Sequence, residues 1–225
     1  MSEYHTPVLL NESVDALSIK EDGIYVDATF GGGGHSKEIL SRLGKKGKLI
    51  AFDRDMDAIE AAPKDSRLIL VHNNFRFVHN FIRANGFDKV DGILADLGVS
   101  SHQFDTMERG FSFRFSAPLD MRMNRENEFS AYEIVNTYSE EELYRIIKEY
   151  GEEKFAKKIA RNICEYRKNK QIETTSELNQ IIDKSIPSFA KKGGHPSKRT
   201  FQAIRIEVNN EIEPLYNTVM NCIKC

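Results

Sequence analysis

Two short stretches of this sequence have residue types and spacing suited to chemistry. The first is Asp27-Ala28-Thr29-Phe30-Gly31-Gly32-Gly33-Gly34-His35, which follows the apolar run Ile24-Tyr25-Val26. Four consecutive glycines are costly in conformational entropy, and they let a ligand approach the backbone closely. Gly31, Gly33 and Gly34, with His35 beside them, are therefore candidate cofactor contacts. Asp53 ends the next apolar run, 22 positions after Gly31. An acid at that place commonly accepts hydrogen bonds from a ribose. Ser36 stands where a dinucleotide fingerprint wants its third glycine, and no G-x-x-x-x-G-K-[ST] occurs. A ribose-binding acid beside an imperfect phosphate loop favours a nucleoside cofactor without a pyrophosphate, with S-adenosyl-L-methionine as the leading candidate. A nicotinamide dehydrogenase is a weaker alternative.

The second stretch is Ala95-Asp96-Leu97-Gly98-Val99-Ser100-Ser101-His102-Gln103. In a doubly wound sheet the strand before it lies beside the first, so Asp96 is expected near the glycine loop. A carboxylate there can accept a hydrogen from an exocyclic amine. It would thereby orient the nitrogen about 3 Å from a sulfonium methyl and stabilise developing positive charge. Asp96 is the catalytic candidate, although capping the following loop is an alternative use of the same side chain.

The elements that must position these residues alternate along the first hundred positions. Strands are expected at 24–29, 48–53, 67–72 and 90–96, and helices at 36–43, 55–62 and 77–84, with Gly44 suited to a helix C-terminus. This alternation argues for parallel βαβ units in an α/β sheet. Residues 99–138 show little periodicity and are expected to form a long ordered loop. Ser139-x-x-Glu142 is a capping box that opens a helix with Leu143, Ile146, Ile147 and Tyr150 on one face. Two more helices follow, marked by Phe155, Ile159, Ile163 and Tyr166, then by Leu178, Ile181 and Ile182. A final long helix carries the stripe Phe201, Ile204, Val208, Ile212, Leu215, Val219 and Cys222, and Pro214 is expected to kink or restart it.

The 225 residues suit one domain with a sizeable insert, 40% apolar and 29% charged. The expected division is a cofactor-binding domain, 1–104 with 197–225, and an insert, 105–196. No apolar run is long enough to cross a bilayer, and no secretion signal opens the chain. Cys222 and Cys225 form a terminal C-x-x-C. Incidental thiols in a reducing cytosol account for them more simply than a redox pair or half a metal site. No His, Cys and Asp cluster has metal-ligand spacing. The net charge of −2 conceals an uneven distribution: Lys154 to Arg205 holds 13 Lys or Arg against 4 Asp or Glu. A basic insert beside a cofactor crevice is what a phosphate backbone requires. Lys191, Lys192, Lys198, Arg199 and Arg205 are the candidate RNA contacts, with a solvated helical face as the alternative. Phe104, Phe111, Phe113 and Phe115 can stack on an extruded base or anchor the loop as core. His5 is a further candidate near the site, although a lone histidine is more often structural.

Taken together the motifs resemble the bacterial 16S ribosomal RNA cytosine-N4 methyltransferases of the MraW/RsmH type. The resemblance is carried by His5-Thr6-Pro7-Val8-Leu9-Leu10, the glycine loop through Ser36, Phe52-Asp53-Arg54-Asp55 and Asp96-Leu97-Gly98-Val99-Ser100-Ser101. It continues through Glu108-Arg109-Gly110-Phe111-Ser112-Phe113, Pro118-Leu119-Asp120-Met121-Arg122-Met123, Tyr150-Gly151-Glu152-Glu153 and Arg199-Thr200-Phe201-Gln202-Ala203-Ile204-Arg205-Ile206. It implies a class I S-adenosylmethionine-dependent methyltransferase fold, Rossmann-like, with a helical insert after the fourth strand. It implies cofactor contacts from Gly33, Gly34, His35, Asp53, Phe75, Asp96 and Gln103, and no catalytic metal. The implied partner is the small ribosomal subunit with its 16S rRNA, the target being a cytosine in the decoding region; a homodimer stays open. The family continues past the long helix with another strand and a Ser-Phe-His-Ser-type motif. The expectation is therefore a sheet lacking its last strands, with the fourth strand as an open edge. A catalytically impaired cofactor-binding fragment and a small-molecule methyltransferase are the alternatives.

Overall fold

The computed structural model describes residues 7–213 and 215–216. His5, Pro214, Val219, Cys222 and Cys225 lie outside them. The described residues form two compact units, one of 7–102 with the tail from 212, the other of 103–211.

The first unit is a parallel sheet of β1 (Ile24–Asp27), β2 (Lys48–Asp53), β3 (Leu68–His72) and β4 (Gly92–Leu94), in the order β3-β2-β1-β4. Val26 stands opposite Ile50 on one side and Ile93 on the other. The strands are apolar at successive positions because both faces of a parallel sheet are covered. Tyr25 and Leu49 face a cluster with Ile39 and Leu40 of α2 (Gly34–Arg42) and Val14 of α1 (Leu10–Ala16). Their neighbours Val26 and Ile50 face the opposite way, with Phe52 and Val71, onto Val78 and Ile82 of α4 (Val78–Ala84). The short α3 (Met56–Glu60) is N-capped by Asp55, which accepts from the Asp57 N–H at 3.2 Å. The α2 helix ends at Arg42, and Gly44 instead donates its N–H to the Glu21 carbonyl at 2.8 Å. Among the described residues β4 is an edge of the sheet.

The second unit is helical. After α5 (Ser101–Asp105), which spans the division, come α6 (Ala131–Thr137), α7 (Glu140–Glu149), α8 (Ala156–Arg167), α9 (Thr175–Ser185) and α10 (Lys198–Asn209). The α7 helix packs on α8, α8 on α9, and α10 on α7 and α6. Ser139 and Glu142 form the expected capping box, and two further boxes, Ser130 with Glu133 and Thr174 with Glu177, open α6 and α9. The segment 99–138 is thus less irregular than its composition suggests, since it contains α5 and α6.

Its remaining turns are held by buried polar side chains. Arg109 is 1% exposed and donates to the carbonyls of Arg122 and Met123 at 2.9 and 3.1 Å. Asn209 donates to the Met121 carbonyl at 2.7 Å and accepts from the Met123 N–H at 2.7 Å. Met121 takes a left-handed φ of 58° there. Gly110 sits at φ 68°, and a Cβ on it would lie 2.3 Å from the Pro118 carbonyl oxygen.

Three expectations differ from these findings. The unit boundaries fall at 102/103 and 211/212 rather than 104/105 and 196/197. The α10 helix joins the second unit because Phe201, Ile204 and Val208 are buried against its helices. The long helix stops at Asn209, with Asn210 left-handed as its cap, ahead of Pro214. Ile212, assigned to the buried stripe, is 50% exposed because it lies beyond that cap.

Candidate functional site

The glycine loop leaves β1 at Asp27, which is completely buried. Its carboxylate accepts from the Thr29 N–H at 3.0 Å and the Ser36 hydroxyl at 2.7 Å, tying the strand end to the first turn of α2. Burial pushes its pKa up, opposed by the hydrogen bonds from Ser36 and Thr29 and by the nearby His35. Gly31 and Gly33 take φ of 51° and 73°, conformations that a side chain would strain. A Cβ on Gly33 would meet the Phe30 ring at 2.8 Å, and one on Gly34 would meet Pro7 Cγ at 2.3 Å.

Asp53, at the end of β2, faces this loop. It accepts from the Gly31 N–H at 2.7 Å and from the Asp55 N–H at 2.8 Å. Burial raises its pKa, opposed by those two N–H groups. A carboxylate offers about four lone-pair sites, so room for a diol remains.

Asp96 lies two residues beyond β4, and its side chain is 59% exposed. Its backbone N–H donates to Thr29 Oγ1 at 2.7 Å, joining the end of β4 to the glycine loop. Its carboxylate stands 3.9 Å from His35 Nδ1, a distance that is an ion pair only when the imidazole is protonated. His35 is 5% exposed, and its buried Nε2 has no hydrogen-bond partner among the described residues. Buried polar atoms are nearly always paired, so an orphaned ring nitrogen beside positive-φ glycines marks a place that a polar ligand completes.

The structure therefore brings Gly31, Gly33, Gly34, His35, Asp53 and Asp96 together at the carboxyl ends of β1, β2 and β4, where ligands of open α/β sheets bind. Phe75 opens a 3₁₀ turn, Phe75–Phe77, and packs on the Val26 and Phe52 side of the sheet. Gln103 is buried in α5 at the start of the second unit. Asp27 and Thr29 were not among the residues expected to shape the site. Their only sequence signal is their place inside the glycine-loop motif.

The basic residues divide by what they touch. Lys191 pairs with Asp183 at 2.6 Å. Arg205 forms a bidentate pair with Glu211 at 2.8 and 3.0 Å. Arg199 donates to the Glu152 carbonyl at 2.9 Å, and Lys198 and Arg199 are exposed at the start of α10. The Lys192 side chain lies outside the described residues. Of the four phenylalanines, Phe111 is buried, Phe104 and Phe113 are half-buried and Phe115 is exposed. Among the described residues no cluster of three or more His, Cys, Asp or Glu could hold a metal ion. No helix there is long and apolar enough to cross a membrane.

The sequence profile of the MraW methylase family matches residues 2–225. The chain belongs to this family. It is 58% identical over 223 residues to the ribosomal RNA small subunit methyltransferase H of Clostridium botulinum (strain Loch Maree / Type A3), covering 97% of this chain and 72% of that protein. The protein of the same name in Christiangramia forsetii (strain DSM 17595 / CGMCC 1.15422 / KT0803) is 55% identical over 215 residues, 96% of this chain and 70% of that one. A solved putative methyltransferase from an antibiotic biosynthesis pathway of Anabaena variabilis ATCC 29413 aligns over 96% of this chain and 92% of its own, at 13% identity and a TM-score of 0.32. That likeness is too loose to support an inference. The parallel sheet and the family together make this an α/β class I methyltransferase fold, and S-adenosylmethionine is its cofactor. The MraW residues present fit that group: an orphaned His35 nitrogen, two left-handed glycines and a strand-end carboxylate.

Proposed function

We propose that this MraW-family chain methylates the N4 exocyclic amine of a cytosine in the decoding region of small-subunit ribosomal RNA. The observation that carries the reading is the solvent-facing Asp96 carboxylate, fixed to the glycine loop through Thr29 and set 3.9 Å from the buried His35. The names of the relatives supply the substrate class, ribosomal RNA of the small subunit.

S-adenosylmethionine, when bound, supplies a sulfonium methyl, with the thioether as leaving group. His35 Nε2 and the glycine loop would hold the cofactor, and the Asp53 carboxylate would accept from its ribose. The cytosine amine is a weak nucleophile because its lone pair is delocalised into the ring. Asp96 accepts one amine hydrogen, which fixes the nitrogen for in-line attack and favours the positive charge that develops on it. The amine must lose one proton when it is methylated, and the Asp96 carboxylate would be the base placed to take it. Gln103 and Phe75 belong to the cofactor side of this proposal. Lys198 and Arg199 belong to the RNA side, together with Lys191, Lys192 and Arg205. The first unit is read as the cofactor domain, and the second, which includes α10, as the RNA-recognition part.

The test is transfer of labelled methyl to small ribosomal subunits lacking the cytosine-N4 methyl, followed by nucleoside analysis. Label in N4-methylcytidine, lost in Asp96→Ala with the fold retained, supports the reading. Label elsewhere, or full turnover by Asp96→Ala, overturns it.

A further inference from the structure

The Phe113 and His195 rings stack in the second unit, with centroids 4.1 Å apart and planes 16° from parallel. Phe201, buried in α10, meets Phe113 edge-on at 5.7 Å. The Ser197 N–H donates to His195 Nδ1 at 3.3 Å. One face and one edge of the imidazole are thus engaged, yet His195 is exposed. The opposite face and the Nε2 edge are engaged by no described residue. With Nδ1 accepting, the neutral ring carries its N–H on Nε2.

His195 also lines a cavity of about 360 Å³ with Asn179, Gln180, Asp183 and Lys184. Two of these are committed: Asn179 accepts from the Ser197 hydroxyl, and Asp183 pairs with Lys191. Gln180 and Lys184 are exposed on one face of α9, four positions apart, and neither bonds to a described residue. Beside the Asp183–Lys191 pair, the cavity therefore presents an aromatic face, the Gln180 amide, the Asn179 amide nitrogen and the Lys184 ammonium. A small anion would use only the last, and an apolar side chain only the first. A nucleotide uses face, amide and ammonium together.

We propose that this cavity is a nucleotide-binding site for an unpaired residue of the RNA strand. The base stacks on the outward face of His195, Gln180 bonds its edge, and Lys184 faces its phosphate. Lys198 and Arg199, exposed in a turn of α10 that contains no acid, extend the positive surface along the strand. The site rests on the reading of the substrate as RNA and adds a place on the second unit where the strand is gripped.

The experiment measures binding of a short single-stranded RNA carrying one 2-aminopurine, together with calorimetric binding of S-adenosylmethionine. His195→Ala is expected to weaken RNA binding roughly ten-fold and to abolish quenching of the 2-aminopurine, whereas His195→Phe, which keeps a stacking face, stays within about two-fold of the parent. The salt dependence of binding keeps its slope in both variants, because no phosphate contact is removed. His195→Ala binding as tightly as the parent, or His195→Phe as weakly as alanine, overturns the site. If His195→Ala does not fold, Gln180→Ala and Lys184→Gln at exposed positions replace it, and tight binding by both overturns the site equally. Failure of the parent to bind RNA while it still binds S-adenosylmethionine refutes the RNA substrate itself. RNA binding by the parent with indifferent variants refutes only this cavity.

Discussion

Thr29→Val removes one hydroxyl while keeping side-chain shape and the backbone N–H that Asp27 holds. The hydroxyl accepts the Asp96 N–H at 2.7 Å, a side-chain hydrogen bond that joins the glycine loop to the Asp96 segment. A neutral hydrogen bond is worth about 0.5–1.5 kcal/mol net. Asp96 is exposed, so water can replace the lost partner and the lower end applies. At roughly 2–4 °C per kcal/mol for a chain of this size, the melting temperature should fall by about 1–2 °C. The effect on turnover is much larger if Asp96 positions the amine, because a displacement of about 1 Å can cost on the order of 100-fold in rate. The expected result is a ten- to hundred-fold lower single-turnover rate, by roughly the same estimate. S-adenosylmethionine affinity should hold, since His35, Gly33 and Asp53 are untouched. Thr29→Ser retains the hydroxyl and should stay near the parent rate. An unchanged rate in Thr29→Val, or equal losses in the valine and serine variants, would refute the link between this hydrogen bond and catalysis.

Gly33→Ala must accept a φ of 73° and a Cβ 2.8 Å from the Phe30 ring; a loss of at least about 1–2 kcal/mol and weaker S-adenosylmethionine binding are expected by denaturation and calorimetry. Asn209→Ala strips partners from the Met121 carbonyl and the Met123 N–H in a buried setting, and chemical denaturation should register a loss of roughly 2–4 kcal/mol. Asp27 has a raised folded pKa, through burial first, against 3.8 unfolded. Its contribution is therefore full below about 3.8 and lost as pH rises through the folded value. Asp27→Asn should accordingly gain melting temperature relative to the parent on going from pH 4 to pH 7, and a constant difference would contradict the assigned burial cost.

Much of the first unit was legible because its signals are local. Lys48–Asp53 forms β2 with the bounds read from the sequence, since an apolar run between Gly47 and the Asp55 cap leaves little freedom. The fourth strand came out shorter, Gly92–Leu94, because pairing with β1 ends at Leu94. Helix α6 was missed although Ser130 and Glu133 carry the same box as Ser139 and Glu142. The surrounding Phe, Arg and Met residues obscured its short apolar pattern of Ala131, Ile134 and Val135. The glycine loop, Asp53 and Asp96 were readable as a set, and the sheet order explains why they meet. The bond from Asp96 to Thr29 was not readable, because it spans 67 positions and exists only once β4 pairs with β1. Charge counting also ignores pairing: among the candidate RNA contacts, Lys191 and Arg205 each stand beside an acid, Asp183 and Glu211, with which an RNA phosphate would compete.

The Asn209 clamp on the Met121 turn sets an order of events during synthesis. Asn209 is made 86 residues after the Met123 whose N–H it accepts. At about 5–20 residues per second, translation leaves that turn without its clamp for roughly 4–17 s. Arg109, in contrast, precedes the carbonyls it binds by only 13 and 14 residues. The nascent segment therefore acquires its guanidinium anchor early and its amide lock late, and the left-handed Met121 is secured only when the end of α10 has emerged.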